Sequence, residues 1–108
     1  MPAFDTALTP VASTPANTSN ATLFTASADS SVLVDAANIG STEGVLVRIG
    51  ITPSGGSVHW KVFDLAIPLA KRSLLALGPW FLQTGDAVTV RTSDADEITF
   101  SLTGVESS

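Results

Sequence analysis

The chain contains no cysteine. That absence excludes disulfides and thiolate chemistry. A thiol-free chain tolerates either redox state, so the compartment is not read from it. Charge is scarce too, at 14% of 108 residues, against about 25% in an average soluble domain. A single histidine, His59, is present. Nucleophilic catalysis needs a base beside its Ser, Thr or Cys, held by a third group, and no carboxylate stands at a suggestive spacing from His59. No glycine-rich phosphate loop occurs, since Gly55-Gly56 reads as a turn. No apolar run approaches the ~18 residues of a membrane helix, so no membrane partner is expected. The first residues lack a basic region followed by an apolar one, so no secretory signal is expected. Basic residues are few, and Lys71-Arg72 is their only adjacent pair. With a net charge of −5 and a pI of about 4.4, the chain is a poor fit to phosphate backbones, and no nucleic-acid partner is expected.

What is present is apolar. Hydrophobic residues make up 44% of the chain, and mean hydropathy is +0.37. The length suits one domain, which buries roughly two-thirds of the surface its unfolded chain exposes. So apolar and weakly charged a surface is most simply explained by self-association or by a large host assembly, because monomers rarely expose apolar patches of more than a few hundred Å².

The pattern is that of β-structure. Short apolar runs alternate with Gly, Pro and Asp punctuation, most clearly from Ile67 to Glu106. Residues 1–20 are rich in Ala, Thr, Pro, Ser and Asn, and Pro2, Pro10 and Pro15 forbid a helix there. This segment is expected to be an extended N-terminal arm, with Phe4, Leu8 and Val11 available to dock on a neighbour; a disordered tail is the alternative. Strands are predicted at Thr22–Ala26, Ser31–Ile39 and Val45–Thr52. In the third, Val45, Val47, Ile49 and Ile51 alternate with Leu46, Arg48, Gly50 and Thr52, as a strand with one buried face requires. A fourth strand runs from Val58 to Ile67, with His59, Lys61, Phe63, Leu65 and Ile67 expected on one face. Ser73–Leu77, Trp80–Leu82, Ala87–Arg91 and Ile98–Leu102 follow, with a short helix over Leu69–Leu77 as an alternative. The expected fold is all-β: one antiparallel, jelly-roll-like β-sandwich of about seven to eight strands over residues 21–108, led by the arm over residues 1–20.

Candidate chemical sites are thin. Zinc wants several Cys, His, Asp or Glu ligands with closely spaced pairs, and a lone His59 does not supply them. Asp94-Ala95-Asp96-Glu97 is the densest acidic cluster. Calcium uses oxygen ligands at such spacing, but the glycine and closing glutamate of a calcium loop are missing, and a solvated hairpin turn is the plainer reading. Asp86 after Gly85 reads as a turn residue. Trp60 and Trp80 are the remaining candidates, either as contact aromatics or as a sugar-stacking platform. No cofactor, no metal and no catalytic residue is expected.

The order of these elements carries a resemblance. Thr22-Leu23-Phe24-Thr25-Ala26 is followed by the Val-rich Val32–Ile39 stretch and by Val45-Leu46-Val47-Arg48-Ile49-Gly50-Ile51. Then come Ile67-Pro68-Leu69, the segment Gly78-Pro79-Trp80-Phe81-Leu82-Gln83-Thr84-Gly85-Asp86-Ala87-Val88-Thr89-Val90, and the ending Phe100-Ser101-Leu102-Thr103-Gly104-Val105-Glu106. Over roughly residues 21–106 this resembles the small β-sandwich virion proteins of tailed bacteriophages, found as capsid decoration (cement) proteins and as minor head or tail proteins. The resemblance implies a non-enzymatic structural protein, commonly a homotrimer, located in the virion after synthesis in the host bacterial cytoplasm. Its implied partners are its own copies and the major capsid protein or another virion protein. A head decoration role is the leading expectation, and a tail, neck or fibre-adaptor role is its alternative. In another class, a carbohydrate-binding module would require Trp60 and Trp80 to lie exposed and coplanar. The expected interface residues are Phe4, Leu8 and Val11 in the arm and Trp60 and Trp80 in the sandwich.

Overall fold

In a computed structural model of the chain, residues 4–69 and 73–107 are described. They form nine strands and no helix: β1 (Phe4–Ala7), β2 (Val11–Ser13), β3 (Ala21–Thr25), β4 (Ser30–Asn38), β5 (Val45–Thr52), β6 (His59–Ile67), β7 (Ser73–Leu82), β8 (Ala87–Thr92) and β9 (Ile98–Ser107). Two antiparallel sheets pack face to face. One has the order β1-β9-β4-β7, with β2 also on β9; the other has the order β3-β8-β5-β6.

The pairings are nested. β5 pairs with β6, β4 with β7, β3 with β8 and β2 with β9, all antiparallel. The chain from β2 to β9 is therefore one long ribbon folded back at the β5–β6 turn. Rolling that ribbon brings β9 against β4 and β8 against β5. This is jelly-roll order, in which hydrogen bonding between distant strands closes two sheets over one core.

Period-two patterning decides what the sheets enclose. Val32, Val34 and Ala36 of β4 and Ile98, Phe100 and Leu102 of β9 point inward from the first sheet. Val45, Val47 and Ile49 of β5 and Val88 and Val90 of β8 meet them from the second. Phe100 is the largest of the fully buried side chains and is 0% exposed. Asn38, also fully buried, is satisfied: its side-chain amide donates to the carbonyls of Thr42 (3.0 Å) and Ile67 (3.3 Å), and its side-chain oxygen accepts from the Gly40 amide (3.0 Å).

The sequence-based reading differs from this fold in three places. The described residues hold nine strands rather than seven or eight, because residues 4–13, expected as an extended arm, form β1 and β2 on β9 of the same chain. Ser73–Leu77 and Trp80–Leu82 are one strand, β7, and not two or a helix. Its register against β4 slips between Val32/Val34, where the run Leu77–Trp80 carries an extra residue at Gly78-Pro79. β7 pairs with β4 alone, and such an edge tolerates proline. In β6, Phe63 does not share a face with Leu65 and Ile67. Two register shifts against β5 add residues to β6 around Lys61 and around Phe63-Asp64, so Val62 turns inward opposite Ile49 while Phe63 lies exposed against Arg48; beyond the second bulge Leu65 and Ile67 stand opposite Val47 and Val45, Ile67 buried and Leu65 partly exposed on the edge strand. Asp64 sits at the second bulge with φ 54°, a left-handed conformation that Asp tolerates better than most residues.

Candidate functional site

Two features of the surface stand apart from ordinary packing. The first is a groove of about 450 Å³ on the side where the two sheets end, lined by Ile51, His59, Lys61, Pro79, Trp80 and Phe81. β6 and β7 are the edge strands that bound it. Edge strands carry unpaired backbone donors and acceptors and invite pairing with another chain. Here the side chains are apolar as well: Phe81 is 73% exposed and Phe63 on β6 is 59% exposed.

The expected interface residues are distributed as follows. Phe4 is 43% exposed, and its ring lies 6.2 Å from that of Phe81, tilted by 55°. Leu8 and Val11 are half-buried and pack on the chain's own core. Trp80 is half-buried at the core margin and lines the edge groove. Trp60 is half-buried in β6, below the Arg48 guanidinium. The structure thus brings Phe4 to Phe81. Trp60 and Trp80 belong to different sheets, and the groove that Trp80 lines does not include Trp60.

No family model matches the chain, and no curated protein matches it.

The second feature is polar. Arg48 of β5 and Arg91 of β8 stand directly opposite each other in the sheet register, at a pocket of about 340 Å³ lined by Thr18, Leu46, Arg48, Asp64, Arg91, Thr92 and Ser93. Like charges placed across a strand pair destabilise, so the arrangement needs an offset. Asp64 supplies it. The Arg48 Nε donates to Asp64 Oδ1 at 2.7 Å, and Nη2 donates to Oδ2 at 3.4 Å. The Arg48 guanidinium carbon also lies 3.9 Å from the Phe63 ring centre and 5.9 Å from that of Trp60, within cation–π range. The Asp64 carboxyl is held below the usual carboxylate range, chiefly by the hydrogen bond from Arg48; some loss of hydration acts the other way, and the charges of Arg48 and Arg91 lower it further. No single sequence signal could have found this pocket, because strand register alone sets Arg48 against Arg91, and a bulge alone aims Asp64 at them.

The acidic cluster is structural. Glu97 receives the Ser41 amide at 3.0 Å and the Thr42 hydroxyl. Asp94 accepts from the Ser93 hydroxyl at 2.8 Å. The Asp96 amide is bonded to the Pro15 carbonyl at 2.9 Å. Asp86 likewise accepts from the amides of Gln83 (3.0 Å) and Ser54 (3.3 Å), tying two turns together. Among the described residues, no three His, Cys, Asp or Glu side chains are grouped to hold a metal ion.

Proposed function

We propose that the chain is a non-enzymatic structural subunit of a tailed-bacteriophage particle, a head decoration protein that binds its own copies and the capsid surface. The observation that carries this reading is the exposed aromatic side of the sandwich. Phe81, Phe4, Pro79 and the half-buried Trp80 cluster at the open edge of β7, and Phe63 and Leu65 are exposed on neighbouring β6. Large aromatic side chains are the usual anchors of protein interfaces, and a contact of roughly 800 Å² per partner makes a specific one. The jelly-roll order agrees with the role, since capsid domains use it, but lectin domains use it too, and fold alone does not assign function.

The mechanism is mechanical. Each subunit covers its apolar edge against another, and repetition over a symmetric shell multiplies a modest contact. Self-association into a trimer is the expected state. Native mass spectrometry of the purified chain at low micromolar concentration tests it. Trp80→Ala is expected to shift the population toward monomer. A wild-type chain that stays monomeric over this range, or a Trp80→Ala chain that assembles and unfolds like wild type, removes the basis of the reading.

A further inference from the structure

The Arg48–Arg91 pocket lies on the outer face of the β8–β5–β6 layer and not in the Trp80–Phe81 groove. Its parts are organised beyond what sheet stability needs. Arg48 is immobilised from two directions, by the Asp64 carboxylate beside it and by the Phe63 ring against its face. The carboxylate that holds it comes from a non-glycine residue in the left-handed region. Such strained conformations cluster where a group has to be aimed. Arg91 is exposed and has no ion pair among the described residues, so its planar fork of donors is free. The side-on pairing to Asp64 uses Nε and Nη2 of Arg48 and leaves its outer edge for another acceptor.

The charges on the pocket wall define the ligand. Arg48 and Arg91 contribute two positive charges and Asp64 one negative, leaving one positive charge over. That surplus matches a singly charged carboxylate better than a phosphate dianion, and the planar guanidinium fork matches a carboxylate's geometry. The remaining wall is suited to more than a bare ion. Asp64 is an acceptor for ligand hydroxyls, Thr18 brings a hydroxyl with no bond to another described residue, and Leu46 gives an apolar surface. Ser93 holds the rim itself, accepting from the Leu46 amide at 2.9 Å and donating to Asp94. A volume of about 340 Å³ is at the small end of ligand pockets, and it has room for a sugar ring where a single acidic side chain would leave it largely empty.

We propose that this pocket binds the carboxylate of an acidic sugar unit of the uronate type, with Arg91 and Arg48 on the carboxylate and Asp64 and Thr18 on ring hydroxyls. The full-length chain, labelled with ¹⁵N, is titrated with D-glucuronate, D-glucose and sulfate while arginine Nε–H and backbone resonances are followed. Glucuronate is expected to shift the Arg91 and Arg48 side-chain signals and the Thr92 and Ser93 amides saturably, in the millimolar range. Glucose and sulfate are each expected to bind at least about tenfold more weakly, since each lacks one half of the recognised chemistry. Arg91→Gln should weaken glucuronate at least about tenfold, and Arg91→Lys should weaken it too because the fork is lost. Arg91 is exposed, so neither change threatens the fold. Lys61→Gln removes the same charge outside the pocket and should leave binding unchanged. Four results would each overturn the proposal: no saturable shift with glucuronate, glucose binding equally, sulfate binding as tightly, or Lys61→Gln losing as much as Arg91→Gln.

Discussion

Phe81 and Phe100 make a decisive pair for the packing described above. Both are phenylalanines in strands, yet Phe100 is 0% exposed at the centre of the core and Phe81 is 73% exposed at the β7 edge. Phe100→Ala removes a ring that both sheets enclose. The expected cost is about 3–5 kcal/mol, combining lost transfer energy and the cavity left behind. Phe81→Ala removes a ring with about a quarter of its surface covered. Taking roughly 200 Å² for a phenylalanine side chain and about 25 cal/mol per Å², the monomer should lose only about 1 kcal/mol. Against a domain stability of about 5–15 kcal/mol, the first change takes a large share and the second a small one. Urea denaturation at a concentration where the chain is monomeric measures both, with the midpoint falling and the slope unchanged. In thermal melts the Phe100 variant should lie roughly 15 °C below wild type. Equal costs for the two variants would refute the assigned faces of β7 and β9. The same Phe81→Ala chain should lose association at concentrations where wild type associates, because its ring is free to cover a partner.

Three further outcomes follow from individual sites. Gly50→Ala would place a methyl group 2.5 Å from the His59 carbonyl, where bulged β6 crosses close to β5; overpacking of this kind should cost about 1–3 kcal/mol in the same urea assay. Asn38→Ala removes the donor to the Thr42 and Ile67 carbonyls and the acceptor for Gly40, and a loss of about 1–3 kcal/mol is expected from the buried groups left unpaired. Asp64 has a folded-state pKa below its unfolded one, so its contribution is fully present above the ordinary carboxylate range near about 3.9 and is lost as pH falls through the lower, folded value. The stability difference between wild type and Asp64→Asn, a substitution that also tolerates the positive φ, should therefore be constant at neutral to mildly acidic pH and shrink only below that range. A difference that disappears while the pH is still well above it would contradict the Arg48 pairing.

Local patterning made the sandwich legible. The alternation of Val45, Val47 and Ile49 with Leu46 and Arg48 sets one face of β5 inward whatever its neighbours are, because successive strand side chains must point to opposite sides. The Thr84-Gly85-Asp86 turn was readable for a similar reason: Gly85 takes φ 94° and Asp86 bonds backbone amides nearby, both local matters of turn chemistry. Where the pattern misled, a bulge intervened. β6 reads as one uninterrupted alternation, but the extra residues opposite β5 break its phase, so Val62 turns to the core and Phe63 leaves the face that Leu65 and Ile67 share.

Composition and punctuation thus settle an apolar, weakly charged, antiparallel β-domain without thiols, since these depend on residue identity and short-range geometry. The partners of each strand do not. β9 could be placed between β4 and the N-terminal strands, and Arg48 opposite Arg91, only once the folded ribbon rolled up. Register between distant strands is fixed by the summed packing of the core and by the bulges that relieve it, and no local stretch of sequence holds that sum.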